Sequence, residues 1–263
     1  MYILWILLMG KTRRYLNIIL IVYIAAIFNL GKLYSVDSRQ TYDGKTAVIL
    51  CFHDINGEGK YSIKQEEFVE ILNLVKNKYE VYSLKTWYEK VSNGEKFTRP
   101  PLVLTFDDGY DSIFKYVIPT LTKFQFGATF FIYLQKYDNN PDAYVQMGDL
   151  PEIFEIGSHS FSHADMEKLY KQNRKQFYKE IFLSRKKLEF LVGKAVISWA
   201  WPYGYYNQDM EVMAKKAGYT IQVNTDYKNT HNEMEGSSFS RYTIQNPDPV
   251  SQAREILAKN VLR

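Results

Sequence analysis

The chain has 263 residues and a single cysteine, Cys51, so no intramolecular disulfide can form and the fold must rest on its apolar core. Cys51 sits within the apolar run 48–52, where it reads as a small buried hydrophobe. It lies too far beyond the N-terminal apolar segment to be a lipid-acylation site. Charge imbalance is also slight: Lys+Arg 33 against Asp+Glu 29 leaves +4, and the lysines are scattered among acids. No basic stripe suits a nucleic acid, and none is expected as a partner. Internal repeats and low-complexity tracts are lacking. Histidine is scarce, with four in the whole chain, so where each one falls carries information.

Apolar residues make up 46% of the chain, enough for the core of one α/β domain. Aromatic residues reach 16%, with 22 tyrosines, a level that suits either sugar-binding clefts or ordinary core and surface. Near the N-terminus, Lys11-Thr12-Arg13-Arg14 precedes an apolar run over 15–30. That order describes a signal peptide or a signal anchor with an exported domain behind it. No small-x-small cleavage site stands out after the run, so an uncleaved membrane anchor is the expectation, and secretion after cleavage is the alternative. Met1 and Met9 are both possible starts. The expected layout is an anchor or signal segment at 1–30, a polar linker at 31–45 and a catalytic domain at 46–263.

Short apolar runs at 47–52, 81–84, 102–106, 128–133, 154–157, 196–201, 220–224 and 240–244 predict strands. Amphipathic stretches at 63–77, 85–93, 110–124, 165–191, 208–217 and 249–261 predict helices. Repeated β then α predicts a parallel sheet, and with seven or eight strands a distorted (β/α) barrel whose site lies at the carboxyl ends of the strands.

Leu104-Thr105-Phe106-Asp107-Asp108-Gly109-Tyr110 places two adjacent carboxylates at such an end. They repel one another unless a cation or a shared proton relieves them. Gly157-Ser158-His159-Ser160-Phe161-Ser162-His163 sets two imidazoles four residues apart, and on one helical turn both would face the same way. One carboxylate and two histidines form a common ligand set for a catalytic divalent ion, which leaves the second carboxylate free to act as a base. The duller readings are that Asp107 and Asp108 cap the following helix, and that the histidines are core or surface residues.

Thr105-Phe106-Asp107-Asp108-Gly109 and His159-Ser160-Phe161-Ser162-His163 resemble the first two motifs of the NodB-type polysaccharide deacetylases, carbohydrate esterase family 4. Trp201-Pro202-Tyr203-Gly204 resembles the third. The resemblance implies a barrel of the NodB-homology type in which Asp108, His159 and His163 hold one divalent metal. Zinc is favoured, with nickel, cobalt or iron as alternatives. It further implies Asp107 as the base, a water on the metal as nucleophile, the Tyr203 amide as an oxyanion donor, and Trp201 beside it in substrate binding. Two departures stand out. The third motif's usual arginine is replaced by Trp199-Ala200-Trp201, and no histidine lies within 240–246. The pattern is similar to the exported poly-β-1,6-N-acetylglucosamine deacetylases, in which the acid histidine comes early; here that is His53, with His231 as the alternative.

The implied activity is hydrolysis of N-acetyl groups on N-acetylglucosamine units of an extracellular or envelope polysaccharide, poly-N-acetylglucosamine first. O-acetylated polysaccharides and peptidoglycan are the alternative substrates. A catalytically weak sugar-binding protein is the reading from another class, motivated by the missing arginine. Expected partners are the polysaccharide, the membrane through the N-terminal segment, and separate polysaccharide synthase or export proteins.

Overall fold

The structure is a computed structural model that describes residues 41–226 and 238–261. The chain divides after Thr41, and the fold that follows begins at Tyr42. The N-terminal apolar run and His231 lie outside the described residues. Among those residues no helix is long and apolar enough to cross a membrane.

The strands are β1 (Val48–Phe52), a small separate pair β2 (Asp54–Ile55) and β3 (Ser62–Ile63), β4 (Glu80–Tyr82), β5 (Pro101–Phe106), β6 (Ala128–Ile132), β7 (Phe154–Ser158), β8 (Ser198–Ala200), β9 (Ile221–Asn224), β10 (Phe239–Ser240) and β11 (Tyr242–Thr243). All but the small pair join one sheet in the order β10-β9-β8-β7-β6-β5-β1-β11, with β4 beside the start of β5. Every pairing in it is parallel. β10 and β11 are two halves of one strand, parted only by Arg241. One half pairs with β9 and the other with β1, at the opposite ends of the sheet. That single strand brings the ends together, and the result is a nearly closed barrel of eight parallel strands, as the βα alternation predicts.

Strands covered on both faces need apolar or small side chains throughout, and β1, β5, β6 and β7 are buried at every position. Alternate residues along the strands of the sheet fall into two apolar clusters. Val48, Leu50, Leu104, Phe106, Phe130 and Ile156 meet the helices. Ile49, Val103, Phe131, Ala200, Val223 and Phe239 fill the barrel. Gly157 is required inside it, since a Cβ there would lie 2.5 Å from the Phe131 ring.

The helices are α1 (Gln65–Val75), α2 (Leu84–Ser92), α3 (Ile118–Phe124), α4 (Asp142–Gly148), α5 (Met166–Gln172), α6 (Arg174–Tyr178), α7 (Ser184–Val192), α8 (Gln208–Lys216) and α9 (Pro249–Val261). Ser83 caps α2 by accepting from the Thr86 N–H. Trp87 of α2 joins the inner cluster and donates to the Gly44 carbonyl, which plugs the barrel end opposite the site.

Three expectations need correcting. The strand over 240–244 is broken at Arg241. The helix over 165–191 is broken at Asn173, whose φ of −149° and ψ of 79° are not helical. It then continues through a π turn, Lys179–Leu183, between α6 and α7. The short helix α4 was not predicted, since seven residues hold too little periodicity to register.

Candidate active site

Residues 105, 107, 51, 53 and 159 continue the inward alternation of β5, β1 and β7, so the barrel's own pleat brings their side chains to one mouth. The Asp107 N–H donates to the Phe52 carbonyl at 2.9 Å, and the His159 N–H to that of Ile132 at 2.9 Å. The ladders therefore run one residue beyond the strands. Asp108 and Gly109 follow at φ +69° and +67°. Two consecutive left-handed residues turn the chain sharply, so adjacent carboxylates take different directions. Asp107 faces the barrel axis and Asp108 the rim.

Asp107 is 3% exposed. Arg241 grips it with two parallel bonds, Nη1 to Oδ1 and Nη2 to Oδ2, each 2.7 Å. Arg241 Nη1 also donates to Thr105 Oγ1 at 3.1 Å, and Nε donates to the Asn224 carbonyl at 3.2 Å. Cys51 Sγ lies 3.5 Å from Asp107 Oδ2, so the buried cysteine is also a thiol donor beneath the Asp107 carboxylate. Burial pushes that thiol's pKa far up and keeps it protonated. Burial alone would raise the Asp107 pKa too, but Arg241 and then His159 hold it below the ordinary carboxylate value.

The predicted ligands converge. Asp108 Oδ1 lies 3.1 Å from His163 Nε2 and 3.4 Å from His159 Nε2. The three donor atoms fall within 4.8 Å of one another. His159 Nδ1 lies 2.9 Å from the Ala200 carbonyl, which can only accept, so this nitrogen carries the hydrogen and Nε2 presents its lone pair. Asp108 Oδ1 is buried and makes no hydrogen bond of good geometry. A buried carboxylate oxygen faced by the His159 lone pair and by His163 Nε2 fits a divalent cation held by Asp108, His159 and His163. A 2-His-1-carboxylate set suits zinc or another first-row ion.

The four-residue spacing does not reflect a helical turn, contrary to expectation. Ser160 and His163 have φ of +77° and +57°, so the histidines sit on a tight loop. Ser160 Oγ braces it by accepting the His163 N–H at 2.9 Å.

His53 rests against the Tyr61 ring at 4.8 Å between centroids, and its Nδ1 is buried without a partner. One of its ring nitrogens lies within 4.8 Å of an Asp107 oxygen. Burial lowers its pKa below the usual imidazole value despite the pull of Asp107 and Asp108. Tyr203, at φ +59°, turns its ring onto His163 at 4.7 Å. The turn's own bonds use the Gly204 and Tyr205 amides rather than that of Tyr203. Trp201 does not join the site: it is 1% exposed, stacks on Tyr206 and meets Trp199 edge-on in the outer core. Its position just after β8 points it at the helices.

Asp108, Tyr110, Tyr133, Lys136, Ser162, His163 and Tyr203 line a cavity of about 260 Å³. Arg241 was not foreseen. Its signal was a charged residue at an inward position of the strand pattern Phe239-Ser240-Arg241-Tyr242-Thr243.

The family described as polysaccharide deacetylase matches residues 94–222. A Staphylococcus aureus (strain MRSA252) poly-beta-1,6-N-acetyl-D-glucosamine N-deacetylase is 26% identical over 175 residues, 60% of this chain and 59% of its own length. YxkH of Bacillus subtilis (strain 168) is 24% identical over 181 residues, 68% of this chain and 64% of its own length. The chain thus spans under two thirds of either relative. The Streptococcus pyogenes deacetylase PplD, solved in complex with acetate, superposes with a TM-score of 0.69 at 22% identity, covering 82% of this chain and 97% of that one. IcaB from Ammonifex degensii does so at 0.69 and 18%, covering 80% and 96%. At such identities these likenesses speak for the barrel alone. The family match spans the strands that carry Asp107, Asp108, His159 and His163, so over residues 94–222 the chain carries a polysaccharide deacetylase domain.

Proposed function

We propose that the protein is a metal-dependent N-deacetylase of an N-acetylglucosamine polysaccharide outside the cytoplasm, with poly-N-acetylglucosamine the first candidate. The observation that carries this reading is the division of labour between the paired acids: Asp108 Oδ1 lies 3.1 and 3.4 Å from two imidazole nitrogens, while Asp107 is held ionised beside them by Arg241.

When bound, a divalent ion at Asp108, His159 and His163 supplies Lewis acidity that lowers the pKa of water and polarises the substrate carbonyl. Asp107 Oδ2 lies 3.9 Å from His159 Nε2, so the base borders the ligand set and takes the proton of the attacking water. Arg241 keeps this carboxylate ionised and fixes its plane. The Tyr203 amide donates to the oxyanion that develops at the carbonyl. His53, with a ring nitrogen within 4.8 Å of an Asp107 oxygen, gives its proton to the departing amine nitrogen. Burial lowers the His53 pKa, so the resting imidazole is mostly uncharged near neutral pH, and the proton it delivers is the one that the neighbouring Asp107 takes from the attacking water.

The cavity is small beside the roughly 300–1,000 Å³ of clefts that engulf drug-sized ligands. It suits the reacting sugar of a polymer whose neighbours lie across Tyr203 and Tyr205. These rings are 57% and 54% exposed and stack at 6.2 Å. The basic flank and apolar run at 11–30 support an anchored, exported enzyme, with polysaccharide synthase or export proteins as separate partners.

Acetate release from N-acetylglucosamine oligomers tests the reading. The zinc-loaded chain should release acetate, and Asp107→Asn should abolish release while retaining zinc. Turnover that survives Asp107→Asn would defeat the mechanism. No release from poly-N-acetylglucosamine, chitin oligomers or peptidoglycan would defeat the substrate class.

A further inference from the structure

Glu180 is a carboxylate in the wrong place for a surface residue. It lies in the π turn between α6 and α7, on the inward stripe formed with Phe177, Ile181, Leu188 and Val192, and is 0% exposed. Burying a carboxyl group is costly unless donors satisfy it. Here the donors come chiefly from the histidine loop. Oε2 accepts the Phe161 N–H at 2.9 Å and the Ser162 N–H at 2.8 Å. Oε1 accepts Ser162 Oγ–H at 2.8 Å and Gln176 Nε2–H at 2.8 Å. No basic side chain lies within ion-pair distance of it among the described residues.

The loop so held needs holding. Between His159 and His163, the non-glycine residues Ser160 and His163 both occupy left-handed backbone, which L-residues adopt only when their surroundings impose it. On one side the loop is fastened through its carbonyls, which accept the Leu134 N–H (from Ser160) and the Gln135 N–H (from Phe161). On the other side its free N–H groups, at 161 and 162, meet Glu180 alone. The wide π turn carries Glu180 and falls where the helix faces these N–H groups.

We infer that Glu180 is a positioning residue for the metal centre: it clamps the strained 160–163 loop so that His163 meets Asp108 at the spacing a divalent ion needs. This rests on the metal reading proposed above. Nothing of Glu180 touches substrate or the reacting atoms. Its effect runs through the affinity and ordering of the ligand set.

The test is zinc affinity of the full-length chain, measured by competition with a chromophoric chelator, beside melting temperature. Glu180→Gln keeps one acceptor oxygen and turns an amide toward Ser162 Oγ and Gln176 Nε2. Zinc binding is expected to weaken by about 10–100-fold, the usual effect of removing support behind a ligand. Ile181→Ala is the control, since it empties core volume on the same turn without touching the loop's bonds. It should lower the melting temperature and leave zinc affinity at the wild-type value. Should Glu180→Gln fail to fold, Ser162→Ala removes one of the four bonds from a half-buried position and should weaken zinc by about fivefold.

Wild-type zinc affinity in folded Glu180→Gln, or in Ser162→Ala where the first does not fold, overturns the proposal. So does an equal loss in Ile181→Ala. A wild-type chain that binds no zinc refutes the metal reading and this inference with it. Zinc affinities that follow the expected order support the clamp even if no polysaccharide is turned over, in which case only the catalytic reading falls.

Discussion

Arg241→Gln probes the site where stability and chemistry meet. Arg241 is 0% exposed and its partner Asp107 4% at the side chain, so both charges are desolvated and each is neutralised chiefly by the other. Breaking a buried pair by removing one member costs about 3–5 kcal/mol. In a domain of this size each kcal/mol moves the melting temperature by about 2–4 °C, giving an expected fall of about 6–20 °C at pH 7. The pH dependence has a definite sign. In the wild type the Asp107 pKa is held below its unfolded value, so its contribution to stability is present above that value and lost as pH falls through the folded pKa. Without Arg241, burial dominates and the folded pKa rises above the unfolded one. Stability is then lost as pH rises through it, so the wild-type advantage should shrink between pH 7 and pH 4.

The rate should fall with little change in KM, because Arg241 lies beneath the base and lines no part of the cleft. A positioned base contributes about 10²–10⁴-fold, so kcat should drop by about that factor. Asp107→Asn/Arg241→Gln removes both charges and should recover most of the lost stability without recovering any rate. Thermal unfolding at the two pH values and acetate release from an N-acetylglucosamine oligomer supply the readings. A single variant that melts within about 2 °C of wild type, a shift of under ~1 kcal/mol, and turns over normally would refute the pairing argument. A double variant no more stable than the singles would refute it too.

Asp108→Asn keeps an acceptor oxygen and loses the charge, so zinc affinity should fall. Burial alone would raise the Asp108 pKa, but His159 and His163 hold it below the ordinary carboxylate value, so the metal-free chain should melt lower as well at pH 7. Equilibrium binding beside thermal unfolding checks this. Prolonged dialysis against a chelator should remove acetate release from the wild type, and added zinc or cobalt should restore it. His53→Gln should slow amide hydrolysis by about 10²–10⁴-fold yet barely touch an activated aryl ester, whose leaving group needs no proton; equal losses on both would exclude His53 as the acid. Gly157→Ala sets a methyl 2.5 Å from the Phe131 ring, an overpacking expected to cost about 1–3 kcal/mol in thermal unfolding, and Phe131→Leu should relieve it.

Asp107, Asp108, His159 and His163 were legible because each chemistry-bearing pair is local in sequence and each follows an apolar strand that carries it to the barrel mouth. His53 was legible for the same reason, at the end of β1. Trp201 misled because a motif position specifies backbone rather than which way a side chain turns; the pleat after β8 sends its ring outward. Glu180 escaped because it sits on the apolar stripe of a stretch read as one regular amphipathic helix, and Arg241 because its partner lies far off in sequence. Arg241 and Asp107 are 134 positions apart and meet only when the β10-β11 strand closes the barrel. The arginine missing from the stretch 199–204 is thus made good from the closing strand. A bidentate grip on a buried carboxylate constrains where the guanidinium lies, not which strand delivers it. In a parallel barrel, every inward position at the carboxyl end of a strand reaches the same axis. An absent motif residue should therefore be sought at the inward positions of the remaining strands before the site is judged decayed.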